Sequence, residues 1–239
     1  MTTWLFIMLG ILLSPSICFS ETILLGAEND WIPYSNADGT GMSNDIVRAA
    51  FKAVGIDVKF RVAPYNRLLK GVQEGTLPGA FNVPKEPSIE DLYIFGKTPL
   101  FTARSAYYQN RERPLSATRK EDLKNNERVG VVFEYGYGDF FQKNDRIQKI
   151  GVKSDLLNLR KLAKGRLDTT ILYEKTAAKL IKDNHLTDKI EKAFDSETAD
   201  IYVAFSKKFP KAQYYADKLD KGLAKIKADG TYDAILKKY

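Results

Sequence analysis

The chain has 239 residues, a formal net charge of +7, 28% charged residues, one Cys and one His. A disulfide-stapled secreted module is excluded, and a zinc site of the usual nitrogen and sulfur ligands is poorly supplied. Lys and Arg alternate along the chain with Asp and Glu, which describes a solvated, mildly basic surface rather than a nucleic-acid-binding face.

Residues 1–20, "MTTWLFIMLGILLSPSICFS", hold an apolar core closed by Ser14-Pro15, with Cys18 and Ser20 as small residues before a cut. This reads as a cleaved secretory signal peptide, too short in its core to span a bilayer. It contains the single Cys, so residues 21–239 have none, and a bacterial periplasm is the expected location. No later stretch approaches membrane-spanning length.

From Thr22 the pattern alternates between strand and helix. "TILLGA" (22–27) is a buried strand. Residues 43–55 carry Ile46, Val47, Ala50, Phe51 and Val54 at helical spacing, with Ser43 or Asn44 as cap and Gly55 as stop. Residues 57–62 alternate as a strand, 66–75 form a helix ending in Gly, and 79–83 form a third strand. That βαβαβ order implies a parallel sheet. The order returns in strands at 127–133 and 146–152, a helix at 154–165 capped by Ser154, and a strand at 166–172. "EGTLPGAF" (74–81) and "KGRLDTTI" (164–171) share Gly-x-Leu ahead of an apolar strand, so the two units are alike.

Two segments join these units, 101–110 leading out of the first and 198–210 following the second. Two helical stretches broken by Gly230 close the chain and return to the first unit. The expected fold is α/β with two lobes, each a mostly parallel sheet flanked by helices, joined by two hinge strands. Lobe 1 takes residues 21–103 and 200–239, and the inserted lobe 2 takes 104–199.

Ligands of open α/β sheets bind beyond the carboxyl ends of the strands, and two such sheets face each other across a cleft that a hinge can close. The residues after each strand are therefore the candidate ligand contacts. They are Trp31 and Tyr34, then Tyr65 and Arg67, then Phe81 and Asn82, and in the second unit Tyr135, Tyr137, Tyr173 and Glu174. The recurring aromatics suit a box that stacks on an organic solute. Each has an ordinary alternative: Trp31 and Tyr65 as core aromatics beneath the loops, Tyr34 turned outward by Pro33, and Glu174 as a dipole-compatible helix start. Arg67 at a helix start opposes the dipole, which suggests an anionic ligand group or a buried partner. His185 reads as a surface or capping residue.

Several stretches carry a family resemblance: "DWIPYSNADGTGMSNDIVRAAF", "FGKTP" (95–99), "LRKLAKGRLD" and "FSKKFP…LAKIKADGTYDAILKKY". The chain resembles periplasmic solute-binding proteins of the polar amino-acid type, the bacterial extracellular solute-binding proteins of family 3. The resemblance implies the type II periplasmic-binding-protein fold, lobe closure on a small polar or anionic solute (amino-acid-like or a carboxylate), and delivery to an inner-membrane ABC permease that both lobes contact. It also implies a monomer with no cofactor, no metal and no chemistry of its own. Arg104, on the first crossing, faces the cleft in such proteins; an exposed strand position is the alternative.

Two family features are replaced. The Arg that grips an α-carboxylate six residues before the matching Phe is Ile89 here, and the Asp that holds the α-amine is Tyr173, with Glu174 next. A periplasmic enzyme on the same fold, cyclohexadienyl-dehydratase-like and using Glu28, Glu134 or Glu174 as acid or base, is a further reading. So is a ligand sensor for a membrane receptor.

Overall fold

The computed structural model describes residues 21–133 and 135–239, so residues 1–20, read above as a signal peptide, and Glu134 lie outside the described residues. The first unit is β1 (Glu21–Glu28), α1 (Met42–Lys52), β4 (Ile56–Ala63), α2 (Tyr65–Glu74) and β5 (Gly79–Pro84), with a short hairpin, β2 (Asp30–Trp31) and β3 (Ser35–Asn36), after β1. Next come β6 (Tyr93–Phe95) and β7 (Phe101–Asn110). The second unit is β8 (Arg128–Val132), α3 (Gly138–Lys143), β9 (Gln148–Val152), α4 (Asp155–Ala163), β10 (Thr169–Tyr173) and α5 (Glu174–Asp183). The chain ends with β11 (Ile190–Ser206), α6 (Ala212–Ala228) and α7 (Thr231–Lys238).

All but the hairpin strands share one nine-stranded sheet in the order β4-β1-β5-β11-β7-β10-β8-β9, with β6 also on β11. Its ends mirror each other. The central strand β1 is parallel to β4 and β5, and β8 is parallel to β9 and β10. The strands β5 and β10 then pair antiparallel with β11 and β7. The likeness of 74–81 to 164–171 is thus structural, because both segments lead into the strand that meets a connecting strand. Between the ends run only β7 and β11, paired antiparallel, so the chain crosses twice. The expected lobe boundaries, 103/104 and 199/200, fall inside these strands within one residue of each other on the ladder, where Ala103 faces Ala199 and Arg104 faces Thr198.

Helices cover both faces of each half. In the first half α1 and α6 enclose one core, with Phe51, Tyr215 and Leu223 buried, and α2 seals the other face with Leu68 and Val72. Gly222 of α6 sits directly on the backbone of Ala50. In the second half Leu159 of α4 and Leu180 of α5 pack on one face, and Phe141 of α3 packs on the other.

Two expectations need correction. Helix α1 is not capped by Ser43 or Asn44. It starts at Met42 behind Gly41, whose φ of 136° and contact with the Tyr34 carbonyl leave no room for a side chain. Ser43 and Asn44 are buried instead. The second connecting strand begins at Ile190, well before residue 198, because register shifts between Lys192 and Phe194 and between Asp195 and Thr198 hide its period of two.

Candidate functional site

The carboxyl ends of the strands in the two halves converge on one small cavity. The first half contributes Glu28 at the end of β1, Trp31 of the hairpin, Tyr65 at the start of α2, and Asn82 and Pro84 of β5. The second half contributes Tyr135 and Gly136 after β8, and Tyr173 ending β10.

The four rings meet in two pairs, and each pair spans the two halves. Trp31 lies 4.7 Å from Tyr173 at 65°, and Tyr65 lies 5.6 Å from Tyr135 at 71°. Such edge-to-face pairs stabilise by about 0.5–1.5 kcal/mol each beyond the area they bury. The Tyr135 hydroxyl also donates to Glu28 Oε1 and approaches the Asp30 carbonyl at 3.2 Å. A second bridge sets the Glu86 carboxylate against Gly136, where a Cβ would come within 2.8 Å of its Oε1.

The residues beneath the wall fix its shape. Trp31 rests on Tyr34 with centroids 4.3 Å apart, and Tyr34 stacks on Phe101 at 5.0 Å. Asn82 has a φ of 70°, a left-handed conformation that Asn tolerates better than most residues. Its side chain ends a relay: Asn44 Nδ2 donates to the Gly39 carbonyl, Ser35 Oγ donates to Asn44 Oδ1 at 2.7 Å, and Asn82 Nδ2 donates to Ser35 Oγ at 3.1 Å. Ser35 has one proton, already given, so it accepts from Asn82, and the amide of Asn82 has one orientation. Asn82 Oδ1 is left buried without a partner, as is the indole N–H of Trp31.

Electrostatically the site is acidic. Glu28 is 2% exposed, and burial, with the charges of Asp155 and Asp30, pushes its carboxyl well above the ordinary value; hydrogen bonding from Asn82 acts the other way. Asp155, buried at the start of α4, is pushed up to about 7 by burial and by Asp30. Burial also raises Asp30 and Glu86. An ionised, unpaired carboxylate in such a place costs several kcal/mol, which favours the protonated form of Glu28. Among the described residues, no Lys or Arg lines the cavity; Lys153 lies in an adjoining pocket beside Asp30 and Phe133, and Lys85 in another beside Gly136 and Tyr173.

Of the sequence candidates, Trp31, Tyr65, Asn82, Tyr135 and Tyr173 line this cavity. The others do not. Arg67 is exposed beside Arg61 and Lys70, because Leu68 and Val72 turn the inner face of α2 to the core and leave Arg67 on the outer one. Arg104 is exposed opposite Thr198, since Ala103 and Ser105 take the buried positions of the alternating strand β7. Phe81 is fully buried against Phe60, and its neighbour Asn82 points the other way. Tyr34 supports Trp31 from behind, and Tyr137 packs on Phe141 while its hydroxyl accepts from the Val132 N–H at 2.8 Å. Glu174 pairs with Lys192 at 2.6 Å, outside the cavity. Pro84 and Gly136 were missed as lining residues. Glu28 was read only as a possible acid; a carboxyl on the last residue of an apolar strand was the available signal.

This arrangement of strand ends and double crossing matches a known family over residues 23–239, the bacterial extracellular solute-binding proteins, family 3. The chain belongs to that family. A comparison with curated proteins returns no match. Among solved structures, a histidine kinase sensor domain with similarity to periplasmic binding proteins superposes with a TM-score of 0.81 at 19% identity, covering 91% of this chain and 95% of that one. An ancestral amino-acid-binding protein, described as a precursor of cyclohexadienyl dehydratase, gives 0.76 at 20%, covering 91% and 95%. The arginine-, lysine-, histidine-binding protein of Geobacillus stearothermophilus gives 0.75 at 20%, covering 92% and 95%. At these identities the likeness is one of fold, the type II periplasmic-binding-protein fold. Among the described residues of this family 3 chain, no helix is long and apolar enough to cross a membrane, and no group of three or more His, Cys, Asp or Glu side chains could hold a metal ion.

Proposed function

We propose that the protein is a periplasmic solute receptor that closes on one small organic molecule and presents it, as a monomer, to an inner-membrane ABC importer. The observation that carries this reading is the cavity built from both halves, with each aromatic pair and the Tyr135–Glu28 hydrogen bond spanning the gap. Opening would part all three contacts together, and a bound solute would hold the halves shut. We place the hinge at Ala103–Arg104 and Ala199–Asp200, where the paired strands cross between the halves, so that residues 21–103 with 200–239 move against 104–199.

The family and its amino-acid-binding structural neighbours support solute capture. The sensor-domain neighbour makes signalling the competing use of the same closure. A dehydratase-like activity also has a specific point in its favour, since Glu28 is a buried carboxyl in an aromatic cleft, its pKa pushed well above the ordinary value chiefly by burial. Turnover of a prephenate-like acid would support that reading over binding.

The deciding measurement is a thermal-shift screen with amino acids, amines, carboxylates and small peptides. A genuine solute at a hundredfold excess over its Kd stabilises by about 2.7 kcal/mol and is recovered unchanged. Uptake of that solute by cells, lost when this gene is deleted, separates import from sensing.

A further inference from the structure

The lining of the cavity specifies more than its family does. We propose that the solute is a small organic ammonium ion, seated against the Glu28 carboxylate and boxed by Trp31, Tyr65, Tyr135 and Tyr173, with no clamp for a carboxylate. This rests on the solute-capture reading and names its substrate class.

Three independent observations converge. The first is the rings. Two edge-to-face pairs set aromatic walls at steep angles around one small space, and each ring face carries the negative lobe of its quadrupole. Such a box attracts a cation, most strongly where water is excluded. The second is the charge: a buried carboxyl forms one wall, Asp30 and Asp155 add to its negative field, and no Lys or Arg lines the space. Lys153 and Lys85 line adjoining pockets outside it. The third is Asn82 Oδ1, an acceptor buried without a partner whose orientation the Ser35–Asn44 relay fixes. It asks for a donor or a positive pole.

An anionic head group would face the opposite situation, with a carboxyl and an amide oxygen against it and only the Trp31 indole and tyrosine hydroxyls as donors. When the ammonium ion enters, Glu28 ionises and releases its proton to solvent, so the buried pair carries no net charge.

The test titrates the purified protein with choline, with tetramethylammonium, with 3,3-dimethylbutan-1-ol (choline with carbon in place of nitrogen), with glutamate and with succinate. Tryptophan fluorescence and calorimetry report binding. The expected result is saturation by at least one of the two cations, with the neutral alcohol weaker than choline by about tenfold or more. Calorimetry in two buffers of different ionisation enthalpy should show proton release. Glu28→Gln should weaken the cation by a similar factor, with the unfolding midpoint of the unliganded variant no lower than that of the parent. Tyr65→Leu, at a half-buried ring, supplies a second variant with the same expected loss. If glutamate or succinate saturates the protein and the cations do not, solute capture stands and the ammonium assignment falls. Equal affinity for choline and its neutral analogue, or full affinity in Glu28→Gln, also overturns it. If none of these compounds binds, the ammonium assignment falls, and the broader thermal-shift screen decides solute capture on its own.

Discussion

The Tyr135 hydroxyl, carried by the second half, donates its hydrogen bond to Glu28 Oε1, carried by the first. No ring contact depends on that hydroxyl, so Tyr135→Phe removes the bond and leaves the Tyr65 packing in place. A single such bond contributes about 1 kcal/mol net. The open fraction of unliganded protein should therefore rise roughly fivefold. Small-angle scattering would report this as a larger radius of gyration without ligand, returning to the parent value at saturation. Identical unliganded profiles would show that the bond does not hold the halves together.

Asp155 sets the expected pH dependence. Its folded value is pushed up to about 7 from 3.8, chiefly by burial. The folded protein thus holds this proton more tightly than the unfolded chain does. The penalty is absent below pH 3.8, grows between 3.8 and about 7 as the unfolded chain ionises first, and is complete above that. Glu28, Asp30 and Glu86 shift in the same direction. Carboxyls that are pulled down, such as Glu21 at about 2 beside Lys211, are ionised in both states above pH 5 and add no slope there. The unfolding midpoint of unliganded protein should fall by several degrees from pH 5 to pH 8, and Asp155→Asn should make that fall shallower. Calorimetry at both pH values decides; an unchanged slope in the variant rules Asp155 out as a source.

The strand ends were readable from sequence because alternating strands and helices force the chain to turn at one edge of the sheet. That is why position alone named Trp31, Tyr65, Asn82, Tyr135 and Tyr173, which line the cavity. The charge of the site was not readable. Glu28 and Asp30 are two residues apart, but Asp155 lies more than a hundred residues further on and reaches them only through the fold. Arg67 misled because an unfavourable charge at a helix start suggested a use, whereas its side chain lies in water, where the dipole is screened. Arg104 misled because a residue on a connecting strand has two faces to choose from, and the buried positions of Ala103 and Ser105 decide which one it takes. The start of β11 was hidden by bulges that break its alternation.

Gly222 tests the packing that holds the first half rigid beneath its share of the cavity. A Cβ at this position would lie 2.0 Å from the Ala50 carbonyl oxygen and 2.6 Å from its carbon. These are backbone atoms of α1, so no side-chain rotation relieves the clash, and α6 must move away from α1. Gly→Ala in a helix otherwise gains about 1 kcal/mol in propensity, which opposes the steric cost. Overpacking costs about 1–3 kcal/mol in ordinary cores, and a fixed backbone contact belongs at or above the top of that range. The net effect of Gly222→Ala should be a loss of roughly 1–3 kcal/mol, or about 3–10 °C in the unfolding midpoint. Lys221→Ala, one residue away on the exposed side of α6, should move the midpoint by less than about 1 °C. A variant at Gly222 as stable as the parent would mean that the two helices are not packed this closely.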